Sequence, residues 1–272
     1  MTHRRSLLIH LKITALLNGE RVNNQYPSTE PTRGTIEPMK RHTPLIVGNW
    51  KMNPPTLDRA KKLFINIRTR LEKRPAHVKP VIAPPFPFIS EIERLAPSRR
   101  IELAAQDVFF ESIGAHTGEV SVSMVKSVGV STVIVGHSER RARGETDDEV
   151  YRDVQAVLTN KCTAIICVGE TTRDEHGNYF SVVEAQLRAA LRDVSVKDLK
   201  RVVIAYEPVW AIGTGNTATP EDAREMKLFI QKVLTHRYNR RAARDTRIIY
   251  GGSVTKKNAH LLLEVGTVDG FL

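Results

Sequence analysis

Leu45-Ile46-Val47-Gly48-Asn49-Trp50-Lys51 is the stretch on which the architecture turns. An apolar run passes through one glycine into an amide, an aromatic ring and a lysine. A doubly wound open sheet usually follows its first strand with a glycine-rich turn that grips phosphate. That turn is replaced here by Asn49, Trp50 and Lys51, which favours a closed (β/α)8 barrel over the open sheet. The alternation then repeats downstream. Apolar runs at 45–50, 80–83, 101–106, 132–136, 163–168, 202–205, 248–250 and 268–272 are short and bounded by Gly or Pro. Strands buried on both faces have that composition. Helical periodicity lies between them at 57–71, 148–160, 182–192 and 221–238. Pro220 stands at the start of the last of these, where its missing N–H costs nothing. Strand and helix signals in alternation, without hairpin turns, predict β/α repeats of the α/β class.

Composition narrows the function classes. At 272 residues the chain is long enough for one barrel domain with a sizeable core. The net charge is +11, from 41 Lys+Arg against 30 Asp+Glu. The basic residues are scattered in short pairs such as Arg140-Arg141 and Arg240-Arg241, without interleaved aromatics or a nucleic-acid-binding signature. A solvated basic surface that attracts small anions fits better than nucleic acid. Cys162 and Cys167 are five strand steps apart, about 16 Å and on opposite faces, so they cannot pair. That usage fits a reducing, cytoplasmic setting. No stretch approaches the ~20 apolar residues of a membrane-spanning helix, so no membrane partner is expected. The first 17 residues faintly resemble a targeting peptide, but His10 and Lys12 interrupt the apolar run. Residues 18–43 are polar and turn-prone, and Met39 would make a natural start. Residues 1–43 are therefore expected to be an extension outside the fold, and 44–272 the barrel domain.

A barrel enzyme gathers its site at the carboxyl ends of its strands, and four ends carry suggestive residues. Asn49, Lys51 and Asn53 flank Trp50 at the first end. A lone Lys there is usually a solvated charge, but in this company it could hold a phosphate or a developing oxyanion. At the fourth end, Val135-Gly-His137-Ser-Glu139-Arg-Arg141 places a His at the opening of a helix-like segment. It could merely cap a turn. The positive end of a helix dipole also favours the neutral imidazole, which can donate a hydrogen bond without carrying charge. At the sixth, Glu207 sits among apolar and aromatic neighbours in Ala205-Tyr-Glu-Pro-Val-Trp-Ala-Ile-Gly-Thr-Gly215. Such surroundings turn a carboxylate into a working base, and the loop behind it has the make-up of a hinged lid. At the seventh, Tyr250-Gly-Gly-Ser253-Val254 offers backbone N–H groups to an anion, with Ser253 expected to begin the next helix. A base, a neutral electrophile, a cation and an anion cradle suit proton transfer on a small phosphorylated carbonyl compound.

These segments, with Ile166-Cys-Val-Gly-Glu170, resemble the motif set of the triosephosphate isomerase family, in order and spacing, from Leu45 to Leu272. The resemblance implies a TIM barrel that interconverts dihydroxyacetone phosphate and glyceraldehyde 3-phosphate through an enediol. It implies Glu207 as the base, His137 as the proton shuttle, and Lys51 with Asn49 as stabilisers of the enediolate. Glu139 would support Lys51 or the shuttle, and Gly213 and Ser253 would bind phosphate through backbone N–H groups. A homodimer is implied, with no metal or organic cofactor.

The sequence departs from the family in three places. Asn216 replaces the usual Lys after the lid, and His116 stands where an aromatic is common on the loop that docks into a partner subunit. The family continues Asp-Gly-Phe-Leu with Val-Gly-Gly-Ala-Ser and a final helix, whereas the sequence here ends at Leu272. The expectation is a barrel lacking the end of the eighth strand and the eighth helix, with closure at that strand in doubt. The outer faces around Leu45, Val47 and Val268 would then be uncovered. The alternative function is a catalytically impaired barrel remnant without the phosphate-binding Gly-Gly.

Overall fold

A computed structural model describes residues 42–72, 78–96, 100–212 and 217–272. The expectations for the segment before residue 42, and for Gly213 and Asn216, lie outside the described residues. Eight strands run in chain order: β1 Leu45–Asn49, β2 Lys79–Ala83, β3 Glu102–Ala105, β4 Thr132–Val135, β5 Thr163–Val168, β6 Val202–Tyr206, β7 Arg247–Tyr250 and β8 Gly270–Phe271. All neighbours are parallel and the sheet closes on itself as β1-β2-β3-β4-β5-β6-β7-β8. The helices are α1 Leu57–Glu72, α2 Ile89–Arg94, α3 Val122–Ser127, α4 Ser138–Arg141, α5 Asp147–Thr159, α6 Asn178–Ala190, α7 Pro220–Arg237, α8 Arg240–Asp245 and α9 Ala259–Glu264. At least one helix fills every crossover between consecutive strands.

Local chemistry explains where two of the three long helices of the second half begin. Thr146 caps α5 and Thr219 caps α7, each in a reciprocal capping box, with Glu149 and Asp222 respectively. Such a cap is worth about 1 kcal/mol. Pro220 occupies the first turn of α7 as expected. Ser253 is a correction, because it does not begin a helix. The chain turns through 253–258, where Asn258 accepts from Thr255 and donates to the Ser253 carbonyl, and α9 starts at Ala259.

Strand alternation sorts the core into two bodies. Leu45, Val47, Val81, Ala83, Ala104, Ile134, Ile165, Cys167, Val203, Ala205, Ile249 and Leu272 fill the barrel. Ile46, Ile82, Leu103, Val133, Val135, Ile166 and Ile204 point outward into the layer beneath the helices. The expectation that Leu45 and Val47 lie on the outer face is therefore wrong: both are buried inside the barrel, and Val268 is buried as well. Cys162 belongs to the outer layer and Cys167 to the interior, and both are free thiols.

Closure, left in doubt by the short eighth strand, is complete. Phe271 pairs with Ile46 on one side and Tyr250 on the other. Asp269 extends this junction, because Leu45 N–H donates to its carbonyl (2.9 Å) and Ile248 N–H to its Oδ2 (2.8 Å). Buried Lys227 from α7 reaches Asp269 Oδ1 at 3.1 Å and also the Thr267 carbonyl. Removing one partner of a buried pair leaves the other charge uncompensated. Asp269→Ala is therefore expected to destabilise the fold by about 3 kcal/mol, read from denaturant unfolding. A loss below about 0.5 kcal/mol would show that the β7–β8 seam does not depend on it.

Candidate active site

The same alternation carries side chains to the barrel mouth. Along β1, Leu45 and Val47 face the axis, so Asn49 follows them to the carboxyl end. Along β6, Val203 and Ala205 do the same for Glu207. His137 needs a different device, because it is out of phase with Ile134. Gly136 supplies it: its φ of +71° is a left-handed turn that an L side chain resists. The chain swings there, and His137 becomes the N-cap of α4.

The result is a chain of contacts. His137 Nε2 stands 3.1 Å from Glu207 Oε1, and the Ser138 N–H donates to Glu207 Oε2 at 2.8 Å. Both side chains are buried. His137 Nδ1 accepts the Glu139 N–H at 3.2 Å. A ring nitrogen that accepts carries no proton, so the imidazole is neutral with its hydrogen on Nε2, facing the carboxylate. Lys51 Nζ is 2.8 Å from Glu139 Oε1, which ties the first strand end to the fourth. Lys51 holds φ +53°, an uncommon conformation for a lysine. Two amides hold it there: Asn49 Oδ1 accepts the Lys51 N–H (2.9 Å), and Gln106 Nε2 donates to the Lys51 carbonyl (2.9 Å) and to Ala83 (2.8 Å). Asn49, Lys51, His137, Glu139 and Glu207 are thus brought together. Ser253 lies exposed at the adjacent end of β7, and its N–H meets no acceptor among the described residues. The Gly251 N–H is instead used by Tyr206 (2.7 Å).

The family model described as triosephosphate isomerase matches residues 44–272. A protein of Endomicrobium trichonymphae named triosephosphate isomerase is 42% identical over 231 residues, 84% of this chain and 91% of that protein. One of the same name from Chloroherpeton thalassium is 43% identical over 229 residues, 84% of this chain and 90% of its own length. The chain belongs to the triosephosphate isomerase family.

Sequence reading assigned no role to two supports of this isomerase-family site. One is Gln106, which directly follows β3 and fixes the Lys51 backbone. The other is buried Glu170, two residues beyond β5, whose Oε1 accepts from Tyr206 Oη (2.8 Å), Trp210 Nε1 (2.8 Å) and Arg173 Nε (3.0 Å). Arg173 also reaches Asp222 at 2.8 Å, joining the start of the loop after Glu207 to the first turn of α7. The rule that picked out Glu207, a polar residue closing an apolar strand, applies equally to Gln106 and Glu170.

Electrostatics shape the site further. Burial pushes the Cys167 thiol well up, and the Glu207 carboxylate adds to the shift, so Cys167 stays an uncharged wall of the pocket. For Glu139, burial acts upward, but the hydrogen bond and charge of Lys51 outweigh it and hold the carboxyl below its ordinary 4.5. A depressed folded-state value means stability that is present above the unfolded value and lost as pH falls through the folded one. The stability difference between the wild type and Glu139→Gln should thus be constant from neutrality down to about pH 5 and shrink below it. Unfolding curves at pH 7 and pH 3 check this; a difference that grows in acid would contradict it. The effect is small, because the pair is half exposed.

Proposed function

We propose that the chain interconverts dihydroxyacetone phosphate and glyceraldehyde 3-phosphate by proton transfer through an enediol, with Glu207 as the base. The observation that carries this reading is the buried Glu207–His137 contact, with Lys51 linked to it through Glu139. Glu207 is held in place by the Ser138 N–H and by a neutral imidazole, with no cation in direct contact among the described residues. A substrate carbonyl oxygen that took the His137 Nε2–H would release Glu207 Oε1 towards the adjoining carbon. The carboxylate then removes a carbon-bound proton while the Lys51 ammonium and the imidazole N–H stabilise the oxyanion that forms. His137 relays protons between the two oxygens, and the Glu207 carboxylic acid returns its proton to the neighbouring carbon. Asn49 and Glu139 hold the lysine in position. The Ser253 N–H, together with Gly213, binds the phosphate. Two copies of the chain pair through the exposed loop that carries Ile113 and His116, where His116 packs on Phe109.

A coupled assay with the purified chain should show isomerisation in both directions. His137→Gln should lower kcat by about 10²-fold or more, the ordinary contribution of a positioned proton shuttle. ¹⁵N NMR of the wild-type ring should find Nδ1 bare and Nε2 protonated across neutral pH. Absence of isomerisation with a correctly folded chain would favour the impaired remnant, and a proton on Nδ1 would remove the neutral-imidazole role.

A further inference from the structure

Asp107, Glu145 and Asp153 come from the end of β3, the turn before α5 and the middle of α5, and they converge in one buried pocket. Each offers a carboxylate oxygen, and these oxygens lie within 4.8 Å of one another. One guanidinium faces them: Arg140 Nε stands 2.9 Å from Asp107 Oδ2 and 2.9 Å from Glu145 Oε1. The remaining oxygens, Asp107 Oδ1 and Glu145 Oε2, are buried without a hydrogen-bond partner among the described residues, and so is Asp153 Oδ1. Asp153 is the decisive member. It is 95% buried by its 5% exposure, it sits on the inward face of α5 among Val150, Val154 and Val157, and among the described residues no ion pair reaches it.

A buried carboxylate without a partner costs several kcal/mol, and three carboxylates against one guanidinium leave two negative charges uncompensated. Glu119 and Glu149 lie close enough to add to that field rather than offset it. We propose that Asp107, Glu145 and Asp153 bind one hard divalent cation of the size of Ca²⁺. The donor set is all oxygen, which selects Ca²⁺, Mg²⁺ or Mn²⁺ over softer metals. Three converging protein carboxylates suit Ca²⁺ better than Mg²⁺, which dehydrates reluctantly, keeps several waters and is usually held by one or two carboxylates. Water completes the shell. The nearly half-exposed Arg140 side chain (45%) reaches the cluster from the surface, so solvent lies one side chain away. The site is structural: it locks the β3 end to α5 and takes no part in the proton transfer at Glu207.

Protons are the competing way to neutralise the cluster, since burial raises Asp107 to about 7 and Asp153 to about 9. The experiment separates the two. The chelator-treated full chain is titrated with CaCl₂ at pH 7.5 in a calorimeter, and its Tm is followed with CaCl₂ and with MgCl₂. The expected result is one Ca²⁺ per chain, a Tm that climbs with the logarithm of Ca²⁺ concentration, and a weaker response to Mg²⁺. Asp153→Asn should keep or raise the metal-free Tm, because it removes an unpartnered buried charge, and should weaken Ca²⁺ binding at least tenfold. Glu145→Gln provides the same reading if Asp153→Asn proves insoluble. No saturable heat and no Tm change up to about 10 mM Ca²⁺ would overturn the proposal in favour of protons. Binding that both variants weaken less than tenfold would overturn it by placing the ion elsewhere.

Discussion

Glu207→Gln is expected to lower kcat for triose phosphate isomerisation by about 10³- to 10⁴-fold while leaving Tm within a few degrees of the wild type. The amide occupies nearly the same volume and can still accept the Ser138 N–H that now meets Glu207 Oε2 at 2.8 Å. It cannot take a proton from carbon at neutral pH. Its NH₂ group would also face the Nε2–H of His137, where the carboxylate oxygen now accepts, so the pocket gains one mismatched donor. Because that mismatch is buried, a cost of about 1 kcal/mol is expected beside the far larger kinetic loss. A coupled assay gives kcat, and circular dichroism gives Tm. A drop in kcat of less than tenfold would remove Glu207 from the role of base.

Gly169→Ala is expected to damage both fold and activity, and more severely than any loss of a single side-chain contact in the barrel. A Cβ at residue 169 would stand 1.7 Å from the Glu207 carbonyl oxygen and 2.7 Å from its carbonyl carbon. Neither atom can yield as a flexible side chain would, since both are backbone. Gly169 cannot retreat either. Gln186 of α6 clamps it, accepting its N–H at 2.8 Å and donating to its carbonyl at 3.2 Å. The Glu207 N–H is meanwhile held by Val168 at 2.8 Å, so the ends of β5 and β6 must part to admit the methyl group. A destabilisation above about 4 kcal/mol is expected, in the exceptional range for one substitution. For a domain of this size that corresponds to a Tm fall of roughly 10 °C or more. Whatever protein remains folded should lose kcat as well, because the displaced backbone is that of the base itself. A Tm within 3 °C of the wild type, measured by calorimetry, would show that the strand ends are looser than these distances imply.

Much of the architecture could be read locally. Each expected strand and each expected long helix has its counterpart in the structure. The reason is that period-2 and period-3.6 patterns are properties of neighbouring residues. The boundaries that slipped are ones that tertiary contacts set. The eighth strand shrinks to Gly270–Phe271, the residues that pair with Leu45 and Ile46 of β1, and of these Phe271 also pairs with Tyr250 of β7. The helix expected at Ser253 waits until Ala259 because Asn258 and Thr255 satisfy one another in a turn.

The site divides in the same way. Asn49, His137 and Glu207 each close an apolar run, and a chain that alternates strands and helices must bring such ends to one rim. Residue types and their order therefore determine the β/α alternation and the identity of the proton-transfer groups. Which face of β1 looks into the barrel is a different matter. An apolar run buried on both sides carries no mark of inside and outside, and only closure against β2 and β8 placed Leu45 and Val47 inward and Asn49 at the mouth. Gln106 beneath Lys51, Glu170 beneath Trp210, and the carboxylates of Asp107, Glu145 and Asp153 are likewise products of that closure. Their partners lie on other strands and helices, and contacts between such distant segments exist only once the ring of strands has set their distances.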